Sequence, residues 1–351
     1  MVRRLMEQLL IHPKDIPPSR SDFEVIGAFN PAAVVVGREV KLLVRVVERP
    51  CEKRPGFTPL PRWEPGGKLA IDWVADQELE IIDCRAVRRK QNGLVRLSFT
   101  SYLRVVHCGA GSSVESIGRE TFVPETELEE YGVEDPRLTQ IGDRYYFTYV
   151  AVSRHGVATA LASTADFQRF VRHGVIFCPE NKDVALFPER IGGEYHCLNR
   201  PVGSMSFTRP EIWLSRSPDL VHWGQHEQLL GGRADWESGK IGTGTPPLRM
   251  PEGWLVLFHG NHRATRPGDV GAYAAGAILL DLEHPNTVLG RSSEPILEPS
   301  LDHEKQGFVP HVVFPTGIAE QGDRLLVYYG AADTCTGLVE LDRNEVLAAL
   351  Q

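Results

Sequence analysis

Short runs of alternating apolar and polar residues recur along the whole chain, each entered through a polar turn that carries a glycine. They read VGREVKLLVRV (36–46), IGDRYYFTYV (141–150), IGGEYHCLNRP (191–201), MPEGWLVLFHG (250–260) and QGDRLLVYYGAAD (321–333). Period-two alternation buries one face of a strand, and a glycine turn beside it predicts a hairpin. A second device repeats as well: a polar pair, then Asp, then Leu or Phe, at Ser163–Phe167 and at Ser217–Leu220 with Trp223 beyond. The later hairpins start about 50, 60 and 70 residues apart. Each spacing holds one four-stranded unit with its loops, so the repetition predicts an all-β, five-bladed β-propeller built as a single domain over 1–351. A β-sandwich with irregular hairpins is the alternative. The first gap is wider, which predicts an irregular insertion over 48–90 that includes Pro50 to Pro65. Only residues 3–10, within an N-terminal extension of 1–20, and residues 343–350, within a C-terminal segment of 340–351, read as short terminal helices.

Composition narrows the function. Hydrophobic residues make up 42% and charged residues 24%, as in ordinary soluble domains. The net charge of −8 excludes a general nucleic-acid footprint, so any anionic ligand needs a local cluster of cations. The arginine-led start is broken by Glu7, Gln8 and His12, unlike a secretory leader, and no apolar run is long enough to span a membrane. Six cysteines without metal-ligand spacing read as reduced thiols, and the location expected is cytoplasmic. No P-loop, dinucleotide fingerprint, nucleophile elbow or HExxH is present.

A propeller gathers the polar residues beside its inner strands around a central funnel. Asn30, Arg45, Asp135, Arg137, Lys182, Asp183, Arg200, Lys240, His259 and Asp333 occupy such places. Asp135, in Gly132-Val-Glu-Asp-Pro-Arg137, precedes a proline that is expected to hold it extended, and partial desolvation there would raise its pKa for general acid work. A turn-capping Asp is the other reading. Lys182, Arg200, Lys240 and His259 each belong to a different hairpin or its lead-in, so the fold would converge them into an anion pocket. An inverting hydrolase needs a second carboxylate to activate water, whereas phosphate is itself a nucleophile and needs cations to hold it. Cations where a base would stand point to phosphorolysis. Trp223 and Trp254 read as blade core, and His196, His222 and His284 as strand or surface residues.

The segments GVEDPRLTQIGDRYYFTY, NKDVALFPERIGGEYHCLNRP, KIGTGTPPLRMPEGWLVLFHG, AILLDLEHPNTVLGRSSEPILEP and VVFPTGIAEQGDRLLVYYGAAD resemble, in order, glycoside hydrolase family 130. That resemblance runs from about residue 25 to 335. It implies a five-bladed propeller and inverting phosphorylases of β-mannosides, with inorganic phosphate as co-substrate and neither metal nor organic cofactor. On this chain it assigns the general acid to Asp135, acting through a sugar hydroxyl, and phosphate binding to Lys182, Arg200, Lys240 and His259. The donor-sugar pocket falls to Asn30, Arg45, Asp135 and Asp333, and an acceptor-side aromatic to Tyr273, in the loop before AILLDLE. Pro31 and the insertion depart from the pattern and bear on linkage. The resemblance also implies a homo-oligomer. The expected reaction is phosphorolysis of a β-1,2- or β-1,4-linked mannooligosaccharide or mannosyl-N-acetylglucosamine to α-mannose 1-phosphate. The rivals are an inverting β-mannosidase using Glu134, Asp183 or Glu237 as base, and a non-catalytic sugar-binding propeller.

Overall fold

The structure is a computed structural model, described over residues 2–203, 209–233, 235–263 and 270–350. Nearly all of its regular structure is strand, with short α-helices at Asp302–Lys305 and Arg343–Ala348. Five antiparallel sheets follow one another along the chain. The first holds Phe23–Val36, Glu39–Pro50, Thr100–Cys108 and Ser116–Phe122; the second Gly132–Ile141, Arg144–Ser153, Gly156–Thr164 and Phe170–Phe177. The third holds Asn181–Leu186, Tyr195–Pro201, Ile212–Ser217 and Gly224–Leu230. The fourth is built from Lys240–Thr243, Gly253–Asn261, Tyr273–Leu280 and Val288–Arg291, with Leu248–Met250 beside them. The fifth holds Val313–Gln321, Arg324–Ala331, Cys335–Asp342 and, on its far edge, Arg4–Ile11.

The apolar faces of successive sheets meet pairwise. Leu43, Val105 and Phe147 join the first sheet to the second; Leu161, Leu186 and Cys197 join the second to the third. Leu198, Trp254 and Ile278 join the third to the fourth, Leu257 and Val327 the fourth to the fifth, and Val44, Tyr102 and Tyr328 the fifth back to the first. Trp254 is therefore core, as its hairpin position predicts.

Residues 3–10, expected as a helix, form the strand Arg4–Ile11 instead, with Glu7 opposite Val339. An isolated helix of this length is marginal in water, while the edge of Cys335–Asp342 offers unpaired backbone groups to any adjacent strand. Arg4 locks the pairing, its Nη1 lying 2.8 Å from Oε1 of the buried Glu304. The same staple recurs. A helical turn before the inner strand of the second sheet ends at buried Glu129, which bonds Arg172 on the outermost strand. Another before the fourth ends at buried Glu237, bonded to Arg291. The repeated Asp turns are also built alike: Asp166, Asp219 and Asp281 each accept two backbone N–H groups at the start of the connection to an outermost strand.

Residues 51–99 form an excursion between the second and third strands of the first sheet. They are ordered, contrary to the irregular segment expected. Phe57–Glu64 pairs with Lys68–Ala75, and Leu79–Ile81, Ala86–Arg89 and Val95–Leu97 make a second small sheet. Pro59 and Pro61 are tolerated because their strand belongs to a two-stranded sheet, where one side of the backbone needs no ladder partner. A small core of Leu60, Val74, Leu79 and Val87 holds the excursion together.

Candidate active site

Three inner strands carry the same irregularity. Pairing slips at Asn30–Pro31, at Asp135–Pro136 and at Asp183–Val184, and the first residue of each pair is left-handed, with φ of 49°, 47° and 54°. Asn and Asp tolerate this conformation better than other non-glycine residues, and a bulge re-aims the bulged side chain. Asp135 is thus not extended before its proline: the bulge overrides the local preference, and the missing Pro N–H falls where the ladder is already broken. Asp333, at φ 48°, sits in the turn between Arg324–Ala331 and Cys335–Asp342.

These devices open on one cavity of about 300 Å³, a size suited to a small saccharide and an anion. Asn30, Arg45, Asp135, Lys182, Arg200, Lys240, His259, Tyr273 and Asp333 all line it. Tyr273 begins the strand Tyr273–Leu280 and does not sit in the loop before it. The structure adds Asp83 and Arg85 from the excursion and the rings of Phe29, Phe99, Phe308 and Phe314, none of which the sequence marks as chemical.

One side of the cavity is anionic. Asp135 Oδ1 accepts from Asn30 Nδ2 at 2.8 Å and from Arg45 Nη1 at 2.9 Å, while Arg45 Nη2 donates to Glu134 at 2.6 Å. Burial alone would raise the Asp135 carboxyl, but Arg45, Arg137, Asn30 and Lys182 outweigh it and hold the pKa below the ordinary value. The raised pKa expected of Asp135 is therefore not its resting state. Burial pushes Asp333 up to about 6, with the charges of Asp135 and Glu134 adding to it and Arg45 and Arg85 opposing it.

The other side is cationic around a hidden anion. Asp183 is 4% exposed, and its Oδ2 lies 2.7 Å from Arg200 Nε and 3.4 Å from His259 Nε2. Arg137 approaches its Oδ1 at 3.6 Å and donates to the carbonyls of Asp135, Thr243 and Gly244, tying the second, third and fourth sheets together. Burial would raise Asp183, yet Arg200, His259, Arg137 and Lys182 hold it well below the carboxylate range. Burial lowers Lys240 to about 8, helped by Arg200, and its Nζ sits 5.2 Å from the centre of the Tyr273 ring. His259, counted among the cations from sequence, is neutral. Burial drives its pKa to about 3; Asp183 opposes this only in part, and Arg200, Arg137 and Lys240 reinforce it. Neither ring nitrogen makes a hydrogen bond among the described residues, and Nε2 lies beside the Asp183 carboxylate. Gly242 keeps this cluster open, because a Cβ there would stand 2.3 Å from Asp183 Oδ2 and 2.6 Å from His259 Cε1.

The three carboxylates named as the base of a rival hydrolase are all engaged. Glu134 is paired with Arg45, Asp183 with Arg200, and Glu237 with Arg291 beyond the cavity lining.

Residues 106–351 match the sequence model of a family described as beta-1,4-mannooligosaccharide phosphorylase. The chain belongs to glycoside hydrolase family 130. Among family relatives, the beta-1,2-mannobiose phosphorylase of Listeria innocua serovar 6a is 40% identical over 356 residues, covering 100% of this chain and 98% of its own. Its structure in complex with beta-1,2-mannobiose superposes with a TM-score of 0.89, over 97% of this chain and 96% of that one. A beta-1,4-mannooligosaccharide phosphorylase of Ruminococcus albus is 35% identical over 61% of this chain and 63% of its own. A mannose phosphorylase of Leishmania mexicana, solved with a phosphate ion, shares the fold at 13% identity, with a TM-score of 0.63 over 100% of this chain and 92% of that one.

Proposed function

We propose that this protein cleaves β-mannosides with inorganic phosphate, inverting the anomeric centre to release α-mannose 1-phosphate, and that β-1,2-mannobiose is its reference substrate. The observation that carries the reading is the split cavity: a carboxylate side able to hold a sugar faces a cationic side where, among the described residues, no unpaired carboxylate stands to activate water. The β-1,2 linkage follows the relative that matches along the whole chain. The five sheets, packed pairwise from first to fifth and back, are read as the blades of a single propeller domain with the cavity at its centre.

In this mechanism Asn30, Arg45 and Asp333 orient the mannosyl ring. Arg200, Lys240 and Lys182 fix phosphate, and His259 gives it a neutral donor. Phosphate then attacks the anomeric carbon from the face opposite the leaving oxygen. The balance is R–O–mannosyl plus HPO₄²⁻ giving R–OH plus mannosyl–OPO₃²⁻, so the proton on the leaving oxygen is matched by the one phosphate gives up. Asp135 delivers it through a hydroxyl of the sugar. Negative charge brought by phosphate into the same buried cavity disfavours an ionised carboxyl and moves its proton affinity up. Bound phosphate therefore converts the resting carboxylate into a proton carrier at the moment one is needed.

Tyr273 stacks on the acceptor side. The family likeness further points to a homo-oligomer, readable by light scattering, and the reduced thiols fit a cytoplasmic location. Among the described residues no helix is long and apolar enough to cross a membrane, and all six cysteines are unpaired. Incubation with β-1,2-mannobiose tests the reaction: mannose 1-phosphate should form only when phosphate is present. Equal release of free mannose with and without phosphate would favour the hydrolase instead.

A further inference from the structure

The bend at residues 82–85, between the small strands Leu79–Ile81 and Ala86–Arg89, leaves the excursion and enters the cavity wall. Its geometry is fixed from within. Asp83 Oδ1 accepts the backbone N–H groups of Arg85 at 2.8 Å and Ala86 at 3.1 Å, and Oδ2 accepts Arg85 Nη2 at 2.7 Å and Nε at 3.3 Å. One edge of the Arg85 guanidinium is thereby held, and Nη1 makes no hydrogen bond among the described residues.

The bend is also fixed from outside. Cys84 Sγ reaches the carbonyl of Phe308 at 3.7 Å, and the Phe308 ring meets Phe99 edge-on at 5.8 Å. The excursion is therefore docked against the lead-in to the fifth sheet at the cavity lining. Arg85 lines the cavity together with Asp333, Tyr273 and Lys240, near enough for their charges to act on one another.

We infer that Arg85 is the specificity-determining residue for the leaving-group sugar, its guanidinium donating to hydroxyls of a neutral acceptor saccharide. This assignment rests on the phosphorylase reading of the cavity. Two observations separate it from the phosphate cations. The Arg85 side chain is 39% exposed, against 7% for Arg200, which places it nearer the mouth, where a leaving group departs. Finally, it lies outside residues 106–351, the part matched by the family model, as befits a residue that tunes the substrate within a shared reaction.

The test runs the reaction in reverse, from α-mannose 1-phosphate with mannose, glucose or N-acetylglucosamine as acceptor, comparing wild type with Arg85→Met and Arg85→Lys. Loss of one to two hydrogen bonds predicts a rise of roughly tenfold in the KM of the best acceptor for Arg85→Met. The KM of mannose 1-phosphate should stay within about twofold, and Arg85→Lys should recover part of the loss. An unchanged acceptor KM, or equal rises for acceptor and mannose 1-phosphate, would overturn the assignment. Asp83→Asn, which keeps the bend's hydrogen-bond acceptor, guards against misfolding and should raise acceptor KM by a smaller factor. Calorimetric titration of β-1,2-mannobiose without phosphate reads Arg85 independently of turnover. If wild type makes no disaccharide yet Arg85→Met still weakens binding about tenfold, the phosphorylase reading fails and the contact stands; undiminished binding removes the contact.

Discussion

Asp135 and Asp333 face one cavity with opposite proton affinities, and a guanidinium sets the difference. Arg45 donates to Asp135 and holds it ionised, while Asp333 is pushed up to about 6 by burial and by the charge of Asp135. Asp135→Asn keeps the Asn30 and Arg45 contacts sterically possible but cannot carry a proton, so kcat for mannose 1-phosphate formation should fall by about 10²–10⁴-fold. For Asp333 the sign follows from its raised pKa: the folded state binds more protons than the unfolded one between about pH 4 and 6, so the group's contribution declines as pH rises through 6. Asp333→Asn should therefore raise stability at pH 8 by on the order of 2 kcal/mol, lose that advantage near pH 4, and still lower activity, as denaturant melts and kinetics at both pH values will show. Lys240, lowered to about 8, gives kcat/KM for phosphate a basic limb near that pH in the wild type. Lys240→Met should abolish the limb and raise the phosphate KM at least tenfold, the order expected when one charged contact is lost.

At the scale of elements, the cavity depends on bulges and on close backbone approach. Gly242→Ala places a methyl against Asp183 and His259, so phosphate KM should rise while the KM for disaccharide changes little, a split that steady-state kinetics will resolve. Arg4→Ala strips buried Glu304 of its charge partner and should cost about 3–5 kcal/mol in a denaturant titration, with no change in KM for either substrate. The hairpins were legible because alternation and turn glycines are local, and the nine residues that meet in the cavity stand beside them. What was not legible depends on remote partners. Residues 4–11 became a strand because an edge some 330 positions later was open. Asp135 is left-handed because its sheet slips register there. Asp183, read in the sequence as a funnel residue and a possible base, becomes instead the counter-ion of Arg200 once burial removes water from both. Asp83 and Arg85 gave no signal because the segment around them shows none of the repeated hairpin pattern.

At the scale of the whole molecule, separation of charge replaces a catalytic base. The carboxylates left in the cavity besides Asp135 are occupied by arginines or, in Asp333, poised to take up a proton, while the opposite side keeps Lys182 and Lys240 available for an anion. Water entering the cationic side meets no unpaired carboxylate among the described residues, whereas phosphate is its own nucleophile and needs only cations to hold it. That exclusion of water is the central claim. Its most direct measurement is turnover of β-1,2-mannobiose with saturating phosphate in ¹⁸O-labelled water, with products resolved by phosphorus NMR and mass spectrometry. The account predicts α-mannose 1-phosphate free of the water label and negligible labelled mannose. Labelled free mannose as the main product, formed at a rate indifferent to phosphate, would contradict it.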